Sequence, residues 1–284
     1  MAGKRTKTWL IWPLASLLAL AGCAGSRNLE LEGDSRDIAM VVDAASAESG
    51  PETITGAQIH RVSPSFVTLV IRKPRKGPTF GAAKGVASGS GFFISREGVV
   101  MTAGHVAVAT GMRAAAVASD GRVHDGSVTA VSQVPDVALI SLPRLRAQPV
   151  IPAASPCLKR GEPVFSLGRP RNSGYTARIG EVVSMHFGQR VRYGRFGYDD
   201  AMVLRLNIKR GESGGPLFNA RGELVGMIVS TLSRGGRSLH LAHAIALPDL
   251  ARFYCAQGNC SGRWRQLASM STRNCPVERR SAAR

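Results

Sequence analysis

Acidic and aromatic residues are both scarce in this 284-residue chain. Asp and Glu number 19 against 37 Lys and Arg, and aromatics make up 6%. The apolar run WLIWPLASLLALA (9–21) is too short to span a bilayer comfortably, which argues against a helical membrane protein. Behind the basic start Lys4, Arg5 and Lys7 it reads instead as the hydrophobic region of a signal peptide, residues 1–22. The shortage of acid gives a pI near 10.9, a value that could point to nucleic acid. No nucleic-acid recognition motif is present, and an exported chain meets little of it. Anionic lipid, lipopolysaccharide or acidic polypeptides are the better-matched partners.

The apolar run ends in Leu20-Ala21-Gly22-Cys23. This resembles the bacterial lipobox, which implies that Cys23 is acylated and becomes the mature N-terminus. Ala24, where Asp would favour the inner membrane, points to the outer membrane, facing the periplasm. Loss of residues 1–22 takes three positive charges and leaves +15 of the +18. Residues 23–58 read as an acidic flexible tether: 24–60 hold seven acidic and two basic residues. Residues 255–284, with six Arg and one Glu, read as a basic, Cys-containing tail. Four further cysteines, Cys157, Cys255, Cys260 and Cys275, predict disulfides in an oxidising compartment. Cys255 and Cys260 are close enough to close a small loop. Cys157 with Cys275 would follow by elimination, although four cysteines allow three pairings. A zinc site from His240, His243, Cys255 and Cys260 has the spacing of no common zinc module, so no metal is expected.

Gly (32) and Pro (15) are frequent and 44% of residues are hydrophobic, a mix that suits many short strands joined by turns. From Ile59 onward strand follows strand: 66–72, 89–95, 99–102, 114–118, 127–132 and 137–142. After the Pro-rich 143–156 come 164–167, 179–187, 201–206, 216–218, 224–230 and 239–246. Two runs of six predict an all-β fold of two six-stranded antiparallel β-barrels over 59–254. A short C-terminal helix is expected to open at Pro248. The basic segment 73–85 reads as a loop of the first barrel.

The segment KRGESGGPLFNARGELVGMIVS sets Ser213 among glycines ahead of strand-like runs. Alone, that is a Gly/Pro turn. A serine hydroxyl is a poor nucleophile and needs an adjacent base, usually His, oriented by a buried carboxylate. Among six histidines, His105 follows a strand and an Ala-Gly turn in MTAGHVA, at a strand end facing a cleft. His60, His124, His186, His240 and His243 lack that turn. Asp136, in VPDVALISL, immediately precedes a buried strand. Asp120 and Asp125 sit in a turn, and Asp199 and Asp200 in a loop.

Taken in order, GSGFFISREGVVMTAGHVA, PDVALISL and GESGGPLFNARGELVGMIVS resemble the trypsin-like serine proteases, and within them the HtrA/Deg branch. The intervals of 31 and 77 residues suit one triad shared between two barrels, and VSPSFVTLV and HAIALPDLAR match that branch's flanks. The resemblance covers 59–254. It implies an exported serine endopeptidase of polypeptides, engaged in envelope protein quality control, that works without metal or cofactor. Ser213 would be the nucleophile, His105 the base and Asp136 its orienting carboxylate. The N–H groups of Gly211 and Ser213 would form the oxyanion hole. Asn207, six residues before the serine, would floor an S1 pocket walled by Ile228, Val229 and Ser230, favouring small to medium apolar P1 residues. A rival assignment has His240 or His243, with Arg210, select P1 Glu. Strand Gly226–Ser230 would pair with extended substrate.

Three departures matter. About thirty residues follow the domain, fewer than a PDZ domain needs, which argues against PDZ-triggered activation and the branch's trimer and leaves the oligomeric state open. Glu212 stands where that branch commonly has Asn. No activation-cleavage sequence is present, so zymogen processing is not expected. Two other classes fit the same chain: a catalytically silent protease-fold scaffold lipoprotein of the envelope, and an adhesion lipoprotein acting through its basic surface.

Overall fold

A computed structural model of the chain describes residues 53–74, 85–143, 145–170, 175–234, 237–258 and 260–275. The expected leader 1–22, Cys23 with its lipid, the tether up to residue 52, residues 75–84 of the basic loop and the final residues 276–284 lie outside the described residues.

The first six strands close one antiparallel barrel. They are β1 (Phe66–Arg72), β2 (Gly85–Phe93), β3 (Val99–Thr102), β4 (Arg113–Ala118), β5 (Val123–Ser132) and β6 (Val137–Ser141), in the order β1-β2-β3-β6-β5-β4. β1, FVTLVIR, is β-branched or aromatic at most positions and buried at six of seven, as a strand covered on both faces must be. β5 keeps one face towards solvent and alternates accordingly. The second barrel is built from β7 (Pro163–Gly168), β8 (Thr176–Ser184), β11 (Met202–Arg205), β12 (Pro216–Asn219), β13 (Leu224–Arg234) and β14 (Arg237–Ala246), in the order β11-β14-β13-β12-β7-β8. Phe165 and Phe218 meet in it with ring centroids 5.2 Å apart.

Both barrels are as the sequence predicts, and β1 and β3 have the predicted ends. β8 starts and stops three residues earlier than expected. Beyond Ser184 the chain turns out of the sheet, where the Ser184 hydroxyl donates to the His186 carbonyl and accepts from the His186 N–H. In the excursion that follows lies a small hairpin absent from the sequence reading, β9 (Val191–Tyr193) paired with β10 (Phe196–Tyr198).

Helix α1 (Gly56–Val62) straddles the boundary drawn at residue 59. Its start is fixed by a reciprocal cap between Thr55 and Gln58. It docks on the second barrel through Arg61, which donates to the Arg221 carbonyl at 2.8 Å. The short α2 (Gly104–Ala107) follows β3. The predicted C-terminal helix is α3 (Leu247–Cys255), with Pro248 in its first turn. The stretch read as a basic tail also holds a fourth helix, α4 (Gly262–Ala268). Trp264 and Leu267, three apart on one face, are buried, and the Trp264 ring meets Tyr254 at 5.5 Å. That apolar pair is masked in sequence by the arginines around it. Disulfides join Cys255 to Cys260 and Cys157 to Cys275, so the first pair is not a pair of thiolates for a metal. Among the described residues no helix is long and apolar enough to cross a membrane.

Candidate active site

The loop 209–215 is gripped from both barrels. The Ser90 N–H in β2 donates to the Ser213 carbonyl at 2.9 Å, and the Ser90 hydroxyl to the Gly211 carbonyl at 2.8 Å. From β13, the Ile228 carbonyl accepts from Gly214 N–H at 2.8 Å, and Ile228 N–H donates to Gly215 at 2.9 Å. Gly214 is held at φ +85°, and a Cβ there would lie 2.2 Å from the Ser90 carbonyl oxygen. Only glycine fits both demands. Among the described residues, neither Gly211 N–H nor Ser213 N–H has an acceptor. The Ser213 hydroxyl donates to the Val229 carbonyl at 3.3 Å, and no hydrogen bond joins it to His105 among the described residues.

His105 sits in α2 and meets Asp136 twice. Its backbone N–H donates to Oδ1 at 2.7 Å and its Nδ1 to Oδ2 at 2.6 Å. Asp136 is 0% exposed while the imidazole keeps 29% of its surface open. This double contact fixes the ring and its tautomer, leaving Nε2 with no partner among the described residues. A second His–Asp pair, His186 with Asp200 at 2.6 Å, differs at this point: its Nε2 already faces the Thr272 carbonyl at 3.1 Å, so it has no ring nitrogen left to act as a base.

Glu212, between the two proposed oxyanion donors, is fully buried, and so in effect is its partner Arg178 on β8. The guanidinium donates through Nε and Nη2 to Oε1, at 3.1 and 3.0 Å, and Lys209 N–H donates to Oε2 at 2.8 Å. Gly168 makes the room, since a Cβ there would fall 2.6 Å from Glu212 Cγ. Burial raises the Glu212 carboxyl above the usual range, and the Lys209 N–H and Arg178 pull it part of the way back.

The residues expected at S1 differ in access. Asn207 and Ser230 are half-buried, whereas Ile228 and Val229 are wholly buried in β13. Tyr198 Oη lies 2.7 Å from Ser230 Oγ and 2.6 Å from Nδ1 of the buried His243. Burial pushes the phenol up to about 12 and the imidazole down to about 4. His240 is exposed on β14. Of the strand expected to receive substrate, Gly226 and Met227 already pair with β12 and Ile228 is bonded to the nucleophile loop. From Val229 onward, β13 has no strand partner on that side among the described residues.

Sequence reasoning missed Tyr193, Tyr198 and Arg178. Tyr193 Oη donates to Asp136 Oδ2. A signal for the hairpin was present: VRYGRFGY has the alternation of a short strand pair around a two-residue turn opened by glycine, and Gly194 takes φ +60° there.

Residues 89–227 match the family described as the trypsin-like peptidase domain. The chain carries a trypsin-like peptidase domain. Its relatives are of the DegP/HtrA kind. It is 31% identical over 197 residues to a probable periplasmic serine endoprotease DegP-like of Rhizobium meliloti (strain 1021), covering 68% of this chain and 38% of the relative. To serine protease HTRA1 of Xenopus tropicalis it is 30% identical, covering 71% and 42%. The chain thus spans about two-fifths of the length of these relatives. The crystal structure of the Rv3671c protease from M. tuberculosis, active form, superposes with a TM-score of 0.58 at 23% identity, covering 75% of this chain and 90% of that one. That likeness shows the trypsin-like fold.

Proposed function

We propose that this chain is an exported serine endopeptidase that cleaves polypeptides in the bacterial envelope, held there by a lipid on Cys23. The observation that carries the reading is the double hydrogen bond from His105 to the buried Asp136, which leaves Nε2 without a partner among the described residues, while Ala103, two residues before His105, borders the nucleophile loop at Gly214. Ser213 Oγ attacks the scissile carbonyl as His105 takes its proton. His105 then protonates the leaving amine, while Asp136 holds the tautomer and stabilises the imidazolium. The acyl-enzyme is hydrolysed by the reverse use of the same groups. Gly211 and Ser213 N–H groups, free of acceptors among the described residues, are the donors for the oxyanion; one such donor is worth roughly 100- to 1,000-fold in rate. The resting bond of Ser213 to Val229 turns towards His105 when substrate fills the cleft, since such contacts tighten on binding. The open edge of β13 from Val229 onward suits an extended peptide. The envelope assignment draws on the leader pattern and on the periplasmic name of the Rhizobium relative.

One observation favours the silent-scaffold alternative: at rest Ser213 bonds Val229 instead of His105. The test is fluorophosphonate labelling and peptide hydrolysis by the full chain beside its Ser213→Ala form. Labelling and turnover that vanish in the variant support the peptidase. A wild-type protein that neither labels nor cleaves supports the scaffold.

A further inference from the structure

The hairpin β9–β10 leaves the second barrel and lands on the first. Gly197 N–H donates to the Gln133 carbonyl at 2.9 Å, three residues before Asp136. The Arg195 guanidinium donates to the Val108 carbonyl, three residues after His105, and stacks 5.0 Å over Phe196. Tyr198, on the far strand, ties the hairpin back to Ser230 and His243 of the second barrel. Between these anchors Tyr193 is brought against the His105–Asp136 pair. Its hydroxyl donates to Asp136 Oδ2, the oxygen that also accepts His105 Nδ1–H. Its ring stands edge-on to the imidazole, with centroids 5.5 Å apart and planes at 87°.

We propose that Tyr193 is a positioning residue of the active site, which holds the Asp136 carboxylate and thereby sets the basicity of His105. The proposal rests on the reading of His105, Asp136 and Ser213 given above. Burial and then the Asp136 charge raise the Tyr193 phenol, so it stays a donor across the working pH range and gives up no proton. A carboxylate shared between two donors on one oxygen presents less negative charge to each. Without the phenol, the full charge of Oδ2 falls on Nδ1–H, the imidazolium becomes easier to form and Asp136 itself becomes easier to protonate. Both changes move the loss of activity in acid to higher pH. Among the described residues, the titratable and charged groups with contacts at or beside this pair are Asp136 ahead of β6, Tyr193 and Arg195 on the hairpin, and Tyr198 behind Tyr193, their rings 6.2 Å apart.

The experiment compares Tyr193→Phe with wild type and with Tyr175→Phe. Tyr175 also donates from a half-buried phenol, but to the Ala118 carbonyl, at 3.1 Å. The His105 titration is followed by NMR in the resting full chain, its resonance assigned by loss in His105→Gln. kcat and KM are measured against pH. In Tyr193→Phe the titration and the acid limb should rise by roughly half to one pH unit, with kcat down about tenfold and KM changed less than about twofold. Tyr175→Phe should leave the titration in place. A His105 titration unmoved in Tyr193→Phe overturns the proposal, whatever happens to kcat. A shifted titration in a chain that does not hydrolyse peptides supports Tyr193's hold on His105 and overturns the peptidase reading alone.

Discussion

Each barrel contributes one fully buried carboxylate to the site, and the two are treated in opposite ways. Asp136, from the first barrel, receives the His105 N–H, the His105 ring and the Tyr193 phenol. Glu212, from the second, receives a guanidinium and one backbone N–H. Under the function proposed above, the two charges have different work. A carboxylate that must stabilise an imidazolium during turnover has to keep its field, so its resting donors are dipoles. A carboxylate that must only fix the backbone between two oxyanion donors is best neutralised, because an uncompensated buried charge there would disturb both the fold and the developing oxyanion. Arg178, on β8, holds the nucleophile loop through Glu212.

The largest effect should come from breaking the first barrel's device. Asp136→Asn keeps the shape and removes the field. The amide cannot accept from both the His105 backbone N–H and Nδ1–H, because one of its two positions is now a donor. The imidazole is left in the wrong tautomer or loses its tether. kcat should fall by roughly 10,000-fold with the folded state retained, as read by steady-state kinetics beside circular dichroism. A variant within tenfold of wild type would show that Asp136 does not orient the base.

Breaking the second barrel's device should act on stability first. Arg178→Met leaves the Glu212 carboxylate buried without its cation, at a cost of about 3–5 kcal/mol. The loss should depend on pH. The Glu212 carboxyl is raised by burial, and removing Arg178 raises it further. A group raised in the folded state stabilises below its unfolded pKa and loses that contribution as pH rises through the folded value. The gap between variant and wild type should therefore be small near pH 4 and widen towards neutrality, as measured by urea unfolding. Adding Glu212→Gln should recover much of it. A pH-independent gap would mean that Glu212 is not carrying charge.

The parts of the site legible in sequence were those in which chemistry is local. TAGH before a short helix, a single Asp ahead of a buried strand and GESGGP all state their geometry within a few residues. Arg178 was hidden because its role exists only across the sheet: nothing near it on β8 says that its side chain meets Glu212, 34 residues on. The hairpin was hidden because its strands are three residues each, too short for periodicity to stand out, and because Tyr193 looked like any loop aromatic. The barrels were legible from two runs of short strands. The fourth helix was not, because six arginines in the last thirty residues outweighed one apolar pair.

The smallest effect tests whether neutrality in the second barrel extends to substrate choice. Asn207 is uncharged. Ile228 and Val229 add buried hydrocarbon, and Ser230 ends in the hydrogen-bonded group of Tyr198 and His243. His243 is the one member that could supply charge for a P1 Glu, but it is 2% exposed and burial holds its pKa at about 4. It is neutral at pH 7, and its Nδ1 is bonded to the Tyr198 hydroxyl. None of the four residues proposed for S1 is a carboxylate, and Glu212 is bonded to Arg178. Discrimination should therefore rest on shape, and one methylene in an apolar pocket is worth only about 1–3 kcal/mol, or 10- to 200-fold. In a peptide library varied at P1 and assayed at neutral pH, Val, Ala, Leu and Met should lead within that range, with Lys, Arg and Glu well behind. A dominant Glu signal would place a charged histidine or Arg210 at the pocket, and a dominant Lys or Arg would mean that a buried carboxylate of the second barrel is not neutralised after all.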